Sequence, residues 1–325
     1  MAALLSILLF LGSLAVTLLA ASFFARRLDQ VGLRLGLPET LLGLLTALAA
    51  DAPELSSAIA ALVKGAHSVG VGVVLGSNVF NLAAMVGLSA VICGRVRLHR
   101  EALAVEGAVG LAVTLIAAAL VTKLFGAAVT LVLLALVLLP YLLLLSLGPA
   151  RTMPRLRGFF GESHRPDHEL QHGEALLVPA LTLLPALAVI IAGSTGMVTA
   201  ALDLADRWSL PDVIVGIVVL AILTSLPNAF TAVRLALQGR GSALVSETLN
   251  SNTINLVGGL AVPALFVSVS STSGLTLFDL GWLVAMTVAV LLLLGRRVGI
   301  GRSGGIAILL LYAVFVVVQI ASVSA

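Results

Sequence analysis

Long apolar runs dominate this sequence and limit its fold more than any other feature. Most of them exceed the roughly 20 residues that a helix needs to cross a bilayer. Only 10% of the residues are charged, whereas a soluble domain has about a quarter. The runs lack the ten-residue alternation of a membrane β-barrel strand. The sequence therefore predicts an all-α membrane protein that is surrounded by the lipid bilayer.

Ten membrane spans are predicted from these runs. They lie near residues 3–25, 40–63, 69–92, 102–122, 126–147, 175–196, 213–236, 243–268, 276–294 and 303–322. The first run has no basic segment before it and is too long for a cleavable signal, so it counts as a span. The predicted organisation is a five-span repeat over residues 1–147, a cytoplasmic linker over 148–173 and a second five-span repeat over 174–325.

The positions of Lys and Arg predict the orientation of these spans, because cytoplasmic loops are enriched in both residues. If the N-terminus is outside, fifteen arginines fall on the cytoplasmic side, and only Lys64, Lys123 and Arg207 lie outside. The prediction is a multi-pass protein of the cell membrane, of the bacterial inner membrane, with both termini outside. Basic loops lie against anionic lipid headgroups, so the net charge of +3 does not require nucleic acid as a partner.

Two regions of the chain resemble each other. The segment "ALAADAPELSSA" at 47–58 resembles "AILTSLPNAFTA" at 221–232, and "GSNVFN" at 76–81 resembles "NSNTIN" at 250–255. Each copy covers two consecutive spans, and five spans separate corresponding positions. An odd separation means that the copies cross the membrane in opposite directions. The sequence thus predicts inverted repeats, which in many transporters surround a binding site at the midplane.

The first copy carries two acids inside a predicted span. Asp51 and Glu54 flank Pro53 and share nearly one helix face. Each acid at the bilayer centre costs about 2.5–3.5 kcal/mol, and no Lys or Arg lies deep in a span to pair with them. A functional role is therefore expected. Pro53 and its counterpart Pro227 would also free backbone carbonyls. A kinked helix satisfied by its neighbours is the alternative, and two prolines at matched positions favour a site.

Serine and asparagine repeat at helical spacing in the other motif. Ser77 and Asn81 are four residues apart, as are Ser251 and Asn255, so each pair presents two oxygens on one helix face. Such oxygens, with carboxylates, suit calcium or sodium, and calcium takes about six to eight of them. The alternative is hydrogen bonding between closely packed helices, which Ser and Asn also support.

These segments resemble the two alpha-repeats of the cation/calcium antiporter superfamily, which includes the sodium/calcium exchangers. Those repeats read approximately A-L-G-T-S-L-P-E and G-S-N-x-x-N/D. The resemblance implies exchange of calcium for sodium, potassium or protons by alternating access, in which the first and sixth spans slide past a fixed bundle. It implies inorganic cations as partners, no enzymatic activity and no cofactor besides the transported ions.

The resemblance also implies a set of ion ligands. They are Asp51, Glu54, Ser77, Asn81, Thr224, Ser225, Asn228, Ser251 and Asn255, and of these Asp51, Glu54, Asn81 and Asn255 would hold the metal ion. Further candidates are the backbone carbonyls of Ala47 and Ala221, together with the side chains of Asn78, Glu247 and Asn252.

The sequence departs from the family pattern at three ligand positions. Ala50 replaces a threonine, Asp51 replaces a serine, and Asn228 replaces the glutamate of the second repeat. The formal charge at the centre is then about −2, all of it from the first repeat. Glu247 lies one turn from Ser251 on the same face and would partly compensate, as a ligand or as a vestibule residue. Two close carboxylates also leave proton coupling open.

Two alternatives to calcium exchange remain at this point. The first is a monovalent cation/proton exchanger on the same scaffold. The second comes from "HELQH" at 168–172, which matches the H-E-x-x-H pattern of zinc metalloproteases. Pro166 and Gly173 bracket this motif closely, which favours a solvated linker.

Overall fold

The computed structural model describes residues 2–35, 39–98, 100–146, 177–211, 214–269, 273–296 and 299–324. Its first half contains α1 (Ala2–Arg34), α2 (Glu39–Ala50), α3 (Ala52–Val63), α4 (His67–Asn81), α5 (Ser89–Cys93), α6 (Arg100–Val121) and α7 (Ala127–Ser146). Its second half contains α8 (Leu177–Trp208), α9 (Ala221–Leu237), α10 (Gly241–Leu256), α11 (Gly274–Leu294) and α12 (Arg302–Ser324). The predicted linker at 148–173, including "HELQH", lies outside the described residues.

Eight helices in the described ranges are individually long and apolar enough to cross a membrane. The other two predicted spans, 40–63 and 243–268, correspond to α2 with α3 and to α10 with the helical residues that follow it. α2 and α3 have 12 residues each, and α10 carries the polar "NSNTIN" motif. The total of about ten membrane helices confirms the predicted fold class.

The helices of the two repeats form the centre of the bundle. The most apolar window of α4 and the residues up to Cys93 is 94% buried within the protein, whereas that of α1 is only 11% buried and that of α7 22%. α10 contacts α2, α4, α6 and α9. A span as polar as α10 is tolerated because its neighbours are protein rather than lipid.

The two repeat prolines affect their helices differently. Pro53 lies in the first turn of α3, directly after a break at Asp51, where a missing amide hydrogen costs no helical hydrogen bond. Pro227 lies inside α9, which continues from Ala221 to Leu237. Only the first repeat is therefore divided into two helices at its acidic residues.

A π-helical segment follows each of the two matching polar motifs. Leu82–Leu88 follows "GSNVFN", and Val257–Ala261 follows "NSNTIN". A third segment, Val215–Leu220, precedes α9. π-helical turns are rare and frequently lie at functional sites. Their matching positions indicate that the copies share local geometry as well as sequence.

Glycines allow the two repeats to touch through their backbones. A methyl group added at Gly76 of α4 would lie 2.4 Å from the backbone oxygen of Ile217. One added at Gly216 would lie 2.4 Å from the backbone oxygen of Val69. Real carbon atoms do not approach so closely, so only glycine permits this distance between α4 and the segment before α9.

α1 and α8 pack along each other at the side of the bundle. A methyl group added at Gly193 would lie 2.4 Å from Thr17 Oγ1, so the helices are in close contact near their middles. Ser6 Oγ also donates a hydrogen bond to Asp203 Oδ2. α1 and α8 contain the first and sixth spans, which the family resemblance predicts to move together.

A short antiparallel ladder connects two loops at one end of the bundle. Arg95 pairs with Gly301 and Val96 with Ile300, forming strands β1 (Arg95–Val96) and β2 (Ile300–Gly301). The first residue of α10, Gly241, approaches the backbone oxygen of Arg97 next to β1. α10 therefore begins at the ladder side of the membrane, the side that the arginine distribution predicts to be cytoplasmic.

Candidate cation site

Two carboxylates from the first repeat lie at the centre of the protein. Asp51 occupies the break between α2 and α3, and Glu54 lies in the first turn of α3. They are 0% and 1% exposed, respectively. The N-terminal end of a helix favours a negative charge, so the break provides partial compensation for these acids. The local structure thus turns both carboxylates into the bundle, away from lipid.

Neutral side chains of the second repeat donate hydrogen bonds to both acids. Ser251 Oγ donates to Asp51 Oδ1 at 2.6 Å, and Asn255 Nδ2 donates to Glu54 Oε2 at 2.5 Å. These residues are 200 and 201 positions apart in the chain. The acids of one repeat therefore meet the serine and asparagine of the other, and α10 is the helix that brings them there.

Asn228 of α9 lies between the two carboxylates. Its Nδ2 donates to Asp51 Oδ1 at 2.8 Å and to Glu54 Oε1 at 3.2 Å, and it is 3.4 Å from Ser251 Oγ. An amide nitrogen carries two hydrogens, so it can satisfy both acids together. The amide nitrogen thus lies where a cation between the two acids would be held.

Asn81 of α4 completes the network. Its Nδ2 donates to Ser251 Oγ at 3.2 Å and to Asn252 Oδ1 at 3.3 Å. Hydrogen bonds therefore connect side chains of α4, α9 and α10 with the acids at the break before α3. Asn81 and Asn255 contribute from corresponding positions of the two repeats, and both are buried.

The candidates Asn78 and Asn252 form a reciprocal pair. Asn78 Nδ2 donates to the backbone oxygen of Asn252, and Asn252 Nδ2 donates to the backbone oxygen of Asn78, both at 3.1 Å. The two residues occupy the same position in the two repeats, 174 residues apart. Two equivalent hydrogen bonds in opposite directions are expected when the two repeats are related by a two-fold axis. Their amide groups hold α4 against α10 and so position the ligands beside them.

Several buried oxygens of the predicted ion ligands have no hydrogen-bond partner. They include Asp51 Oδ2, Ser77 Oγ, Asn81 Oδ1, Asn228 Oδ1 and Asn255 Oδ1. Buried polar atoms are nearly always paired, and an exception needs an explanation. All five atoms are oxygens, and the three amide oxygens and the carboxylate oxygen only accept. A cation could satisfy several such oxygens at once.

The remaining candidates surround this network. Thr224 is fully buried, and its hydroxyl donates to the Leu220 carbonyl at 2.8 Å, so its lone pairs remain available to a cation. Ser225 is also fully buried. The Ala47 carbonyl accepts the Asp51 amide at 2.9 Å, and the Ala221 carbonyl is 3.4 Å from Thr224 Oγ1. Glu247 lies one turn before Ser251 on α10 and is partly exposed.

The donor set favours a hard cation. In the described ranges, no three or more His, Cys, Asp or Glu residues form a group that could hold a metal ion. The centre instead combines two carboxylates with amide and hydroxyl oxygens. Oxygen ligands of this kind suit calcium and sodium, whereas structural and catalytic zinc sites use histidine and cysteine.

Two other buried acids escaped the sequence analysis. Glu106 of α6 is 5% exposed and accepts a hydrogen bond from Ser246 Oγ at 2.7 Å. Asp279 of α11 is 1% exposed and accepts one from Gln319 of α12. Both acids lie in predicted spans, so the presence of an acid in an apolar run was the available signal. Neither contacts the central network through a described hydrogen bond.

Comparison with known proteins decides the family. The family model "Sodium/calcium exchanger protein" matches residues 5–150 and 178–321. The chain belongs to the sodium/calcium exchanger family. This is a family of transporters rather than of enzymes. The predicted membership of the cation/calcium antiporter superfamily is confirmed.

Curated relatives of this exchanger-family chain match it at modest identity. It is 28% identical over 137 residues to sodium/calcium exchanger MaX1 of Methanosarcina acetivorans, an alignment that covers 42% of this chain and 39% of MaX1. It is 28% identical over 232 residues to inner membrane protein YrbG of Escherichia coli, covering 71% and 70% of the two chains. A putative antiporter, CaxA of Alkalimonas amylolytica, is 24% identical and covers 92% of this chain and 93% of CaxA.

Two solved structures share the fold. The sodium-calcium exchanger NCX_Mj, soaked with Na+ and Sr2+, superposes with a TM-score of 0.61 at 19% identity and covers 97% of this chain and 99% of its own. Native YfkE gives a TM-score of 0.67 at 17% identity, with 95% and 91% coverage. At these identities the likeness establishes the all-helical membrane fold of this exchanger-family chain and nothing further.

Proposed function

We propose that this protein is a secondary active antiporter that exchanges calcium for sodium or protons by alternating access. The buried oxygens without partners carry this proposal. They come from both repeats, and three of them are the amide oxygens of Asn81, Asn228 and Asn255, whose nitrogens are hydrogen-bonded within the network around Asp51 and Glu54. Because the oxygens belong to two repeats that cross the membrane in opposite directions, small movements of either repeat would open the site to one side.

The charge at the centre supports a divalent ion. Asp51 and Glu54 together carry a formal charge of −2, and Asn228, Asn255, Ser251 and Asn81 are neutral. Two carboxylates neutralise one calcium ion, and the neutral oxygens supply the further ligands that calcium requires. Family membership supports the transport activity, while the curated relatives with named substrates cover only part of the chain. MaX1, a sodium/calcium exchanger by name, is matched over 39% of its length.

A second candidate is exchange of monovalent cations. Asn228 directs its amide nitrogen toward both acids, at 2.8 Å from Asp51 and 3.2 Å from Glu54. A carboxylate at this position would attract a divalent ion more strongly than this amide does. Sodium for proton exchange at a site with two acids is consistent with this arrangement.

The protein is a multi-pass membrane protein, and we propose an orientation with both termini outside, in a bacterial inner membrane. This proposal depends on the fifteen arginines of the cytoplasmic loops against three basic residues outside. A reporter fused after residue 324 and read for periplasmic or cytoplasmic activity tests it. Cytoplasmic activity of the fusion would contradict the orientation.

Uptake of radioactive calcium into proteoliposomes tests the activity. Sodium, potassium and proton gradients are imposed one at a time, and the parent protein is compared with Glu54→Gln. We expect gradient-driven uptake in the parent and a loss of at least tenfold in Glu54→Gln, because the substitution removes one of two charges that hold the ion.

Asp279→Asn is the matched control for this experiment. It neutralises another buried membrane acid, whose partner is Gln319, and it should retain parental uptake. Calcium uptake by Glu54→Gln equal to that of the parent would refute the proposed site. Sodium uptake driven by a proton gradient, without calcium uptake, would instead establish the monovalent exchanger.

A further inference from the structure

Glu247 extends the central site toward one side of the membrane. It lies four residues before Ser251 on α10, which places it about 6 Å along the helix axis on the same face. Ser251 Oγ in turn donates to Asp51 Oδ1 at 2.6 Å. Glu247 is partly exposed, yet its Oε2 is buried and has no hydrogen-bond partner. This side chain thus extends from solvent toward the site.

A second oxygen without a partner lies at the inner end of this path. Asp51 is fully buried, and its Oδ2 accepts no hydrogen bond. The two oxygens of one carboxylate are about 2 Å apart, so Asp51 Oδ2 lies within roughly 5 Å of Ser251 Oγ. The face of α10 therefore presents Glu247, then Ser251 with Asp51 beside it. Both acids offer a free oxygen that a cation could contact.

The first repeat has no acid at the position equivalent to Glu247. In the first repeat, the residue four positions before Ser77 is Val73, which is 0% exposed. Val73 and Glu247 occupy the same position of the two repeats, 174 residues apart. Since the repeats are inverted, Val73 lies on the opposite side of the site from Glu247. At this position the two repeats therefore differ in charge.

We infer that Glu247, together with Asp51, forms a cation subsite on the ladder side of the membrane, and that this subsite makes cation affinity unequal on the two sides. The inference rests on the proposed function. A cation arriving from the ladder side would contact Glu247 before it reaches the central oxygens. On the other side the corresponding position is Val73, a buried core residue that offers a cation no charge or lone pair. Glu247 is thus a specificity-determining residue for one direction of transport.

The role of Arg240 must be separated from that of Glu247. Arg240 immediately precedes α10 and lies two turns before Glu247. If the role of Glu247 were only to pair with Arg240, substitution of either residue would have the same effect. If Glu247 attracts cations, removing the positive charge of Arg240 should strengthen cation binding from the ladder side or leave it unchanged. Substitution of Glu247 should then weaken cation binding from the ladder side, whereas substitution of Arg240 should not.

Sided transport measurements test the subsite. Right-side-out and inverted membrane vesicles are prepared from cells that express the full chain, and initial uptake of radioactive calcium is measured against calcium concentration. Radioactive sodium is used in the same way if the parent carries only monovalent ions. For Glu247→Gln we expect the KM to rise on the order of tenfold in vesicles with the ladder side outward and less than twofold in the other orientation.

Glu106→Gln is the matched control. Glu106 is another buried acid whose partner, Ser246, precedes Glu247 on α10, and glutamine can still accept that hydrogen bond. The KM of Glu106→Gln should equal the parental value in both orientations. The KM of Arg240→Gln on the ladder side should equal the parental value or be lower. An unchanged uptake rate of Glu247→Gln at saturating cation verifies that the variant folds.

The outcomes separate this inference from the proposed function. Equal KM values for Glu247→Gln and the parent on both sides, or equal increases on both sides, would overturn the subsite. An increased KM for Arg240→Gln on the ladder side would also overturn it. If Glu54→Gln transports like the parent, the proposed central site itself fails, whatever the result at Glu247.

Discussion

Replacement of Asn228 by aspartate should make the stability of this protein depend strongly on calcium. In the structure, the Asn228 amide donates to Asp51 at 2.8 Å and to Glu54 at 3.2 Å. Asn228→Asp removes both donated hydrogen bonds and adds a third carboxylate to the same buried space. Without a cation the three acids repel each other, whereas with calcium the additional oxygen becomes a ligand.

The size of the effect follows from the two hydrogen bonds. A hydrogen bond to a charged group contributes about 1.5–3 kcal/mol, so the loss of two destabilises the calcium-free protein by about 3–6 kcal/mol. At roughly 2 °C per kcal/mol for a chain of this size, the Tm without calcium should fall by about 6–12 °C. Saturating calcium should recover most of this loss, because a ligand that binds the folded state stabilises it by an amount that grows with the logarithm of its concentration relative to its Kd.

Thermal unfolding of the purified protein in detergent, with and without calcium, provides the assay. Asn228→Leu is the control, since it removes the same hydrogen bonds and adds no charge. Asn228→Leu should lower the Tm without calcium, and calcium should stabilise it no more than it stabilises the parent. If the calcium dependence of the Tm in Asn228→Asp matches that of the parent, Asn228 does not adjoin a cation site, and the assignment of the central oxygens is wrong.

Three further experiments test the packing that positions the site. Gly76→Ala should lower the Tm, with a cost of about 1–3 kcal/mol, because its methyl group would lie 2.4 Å from a backbone oxygen of the second repeat; Gly12→Ala, with open space around it, should not. A double-mutant cycle of Asn78→Ala and Asn252→Ala, measured by unfolding, should give a coupling energy of about 0.5–3 kcal/mol, and additive effects would contradict the reciprocal pair. Gly193→Ala should reduce the maximal uptake rate in proteoliposomes by separating α1 from α8, and parental uptake would show that this contact does not serve transport.

Hydropathy predicted most of the membrane spans. It did not show which helices are buried at the centre of the protein. α4 and its continuation to Cys93 are recognisable because they are apolar throughout, although they are 94% buried within the protein. α10, which carries the polar motif, is not among the eight helices that pass the same test, although the sequence analysis placed a span at 243–268. The break at Asp51 was harder to predict from the sequence, because proline within an apolar run predicts either a kink or a new helix start.

The composition of the candidate site followed from the sequence, whereas the hydrogen-bond partners did not. Spacing showed that Ser251 and Asn255 share a helix face, and it also suggested a role for Glu247. It gave no indication that Asn228 directs its nitrogen to both acids, or that Asn78 exchanges hydrogen bonds with Asn252. Helical periodicity relates residues three or four positions apart and contains no information on which face of another helix they meet.

The amino-acid sequence alone determined that the chain lies in a membrane, that it crosses about ten times, and that two polar segments recur in opposite senses. These properties depend on the transfer of side chains from water to lipid and on the number of crossings, both of which can be counted along the chain. Only the tertiary structure decided which oxygens meet. Glu54 and Asn255 are 201 residues apart, and the packing of α3 against the helices of the opposite repeat brings their side chains into contact.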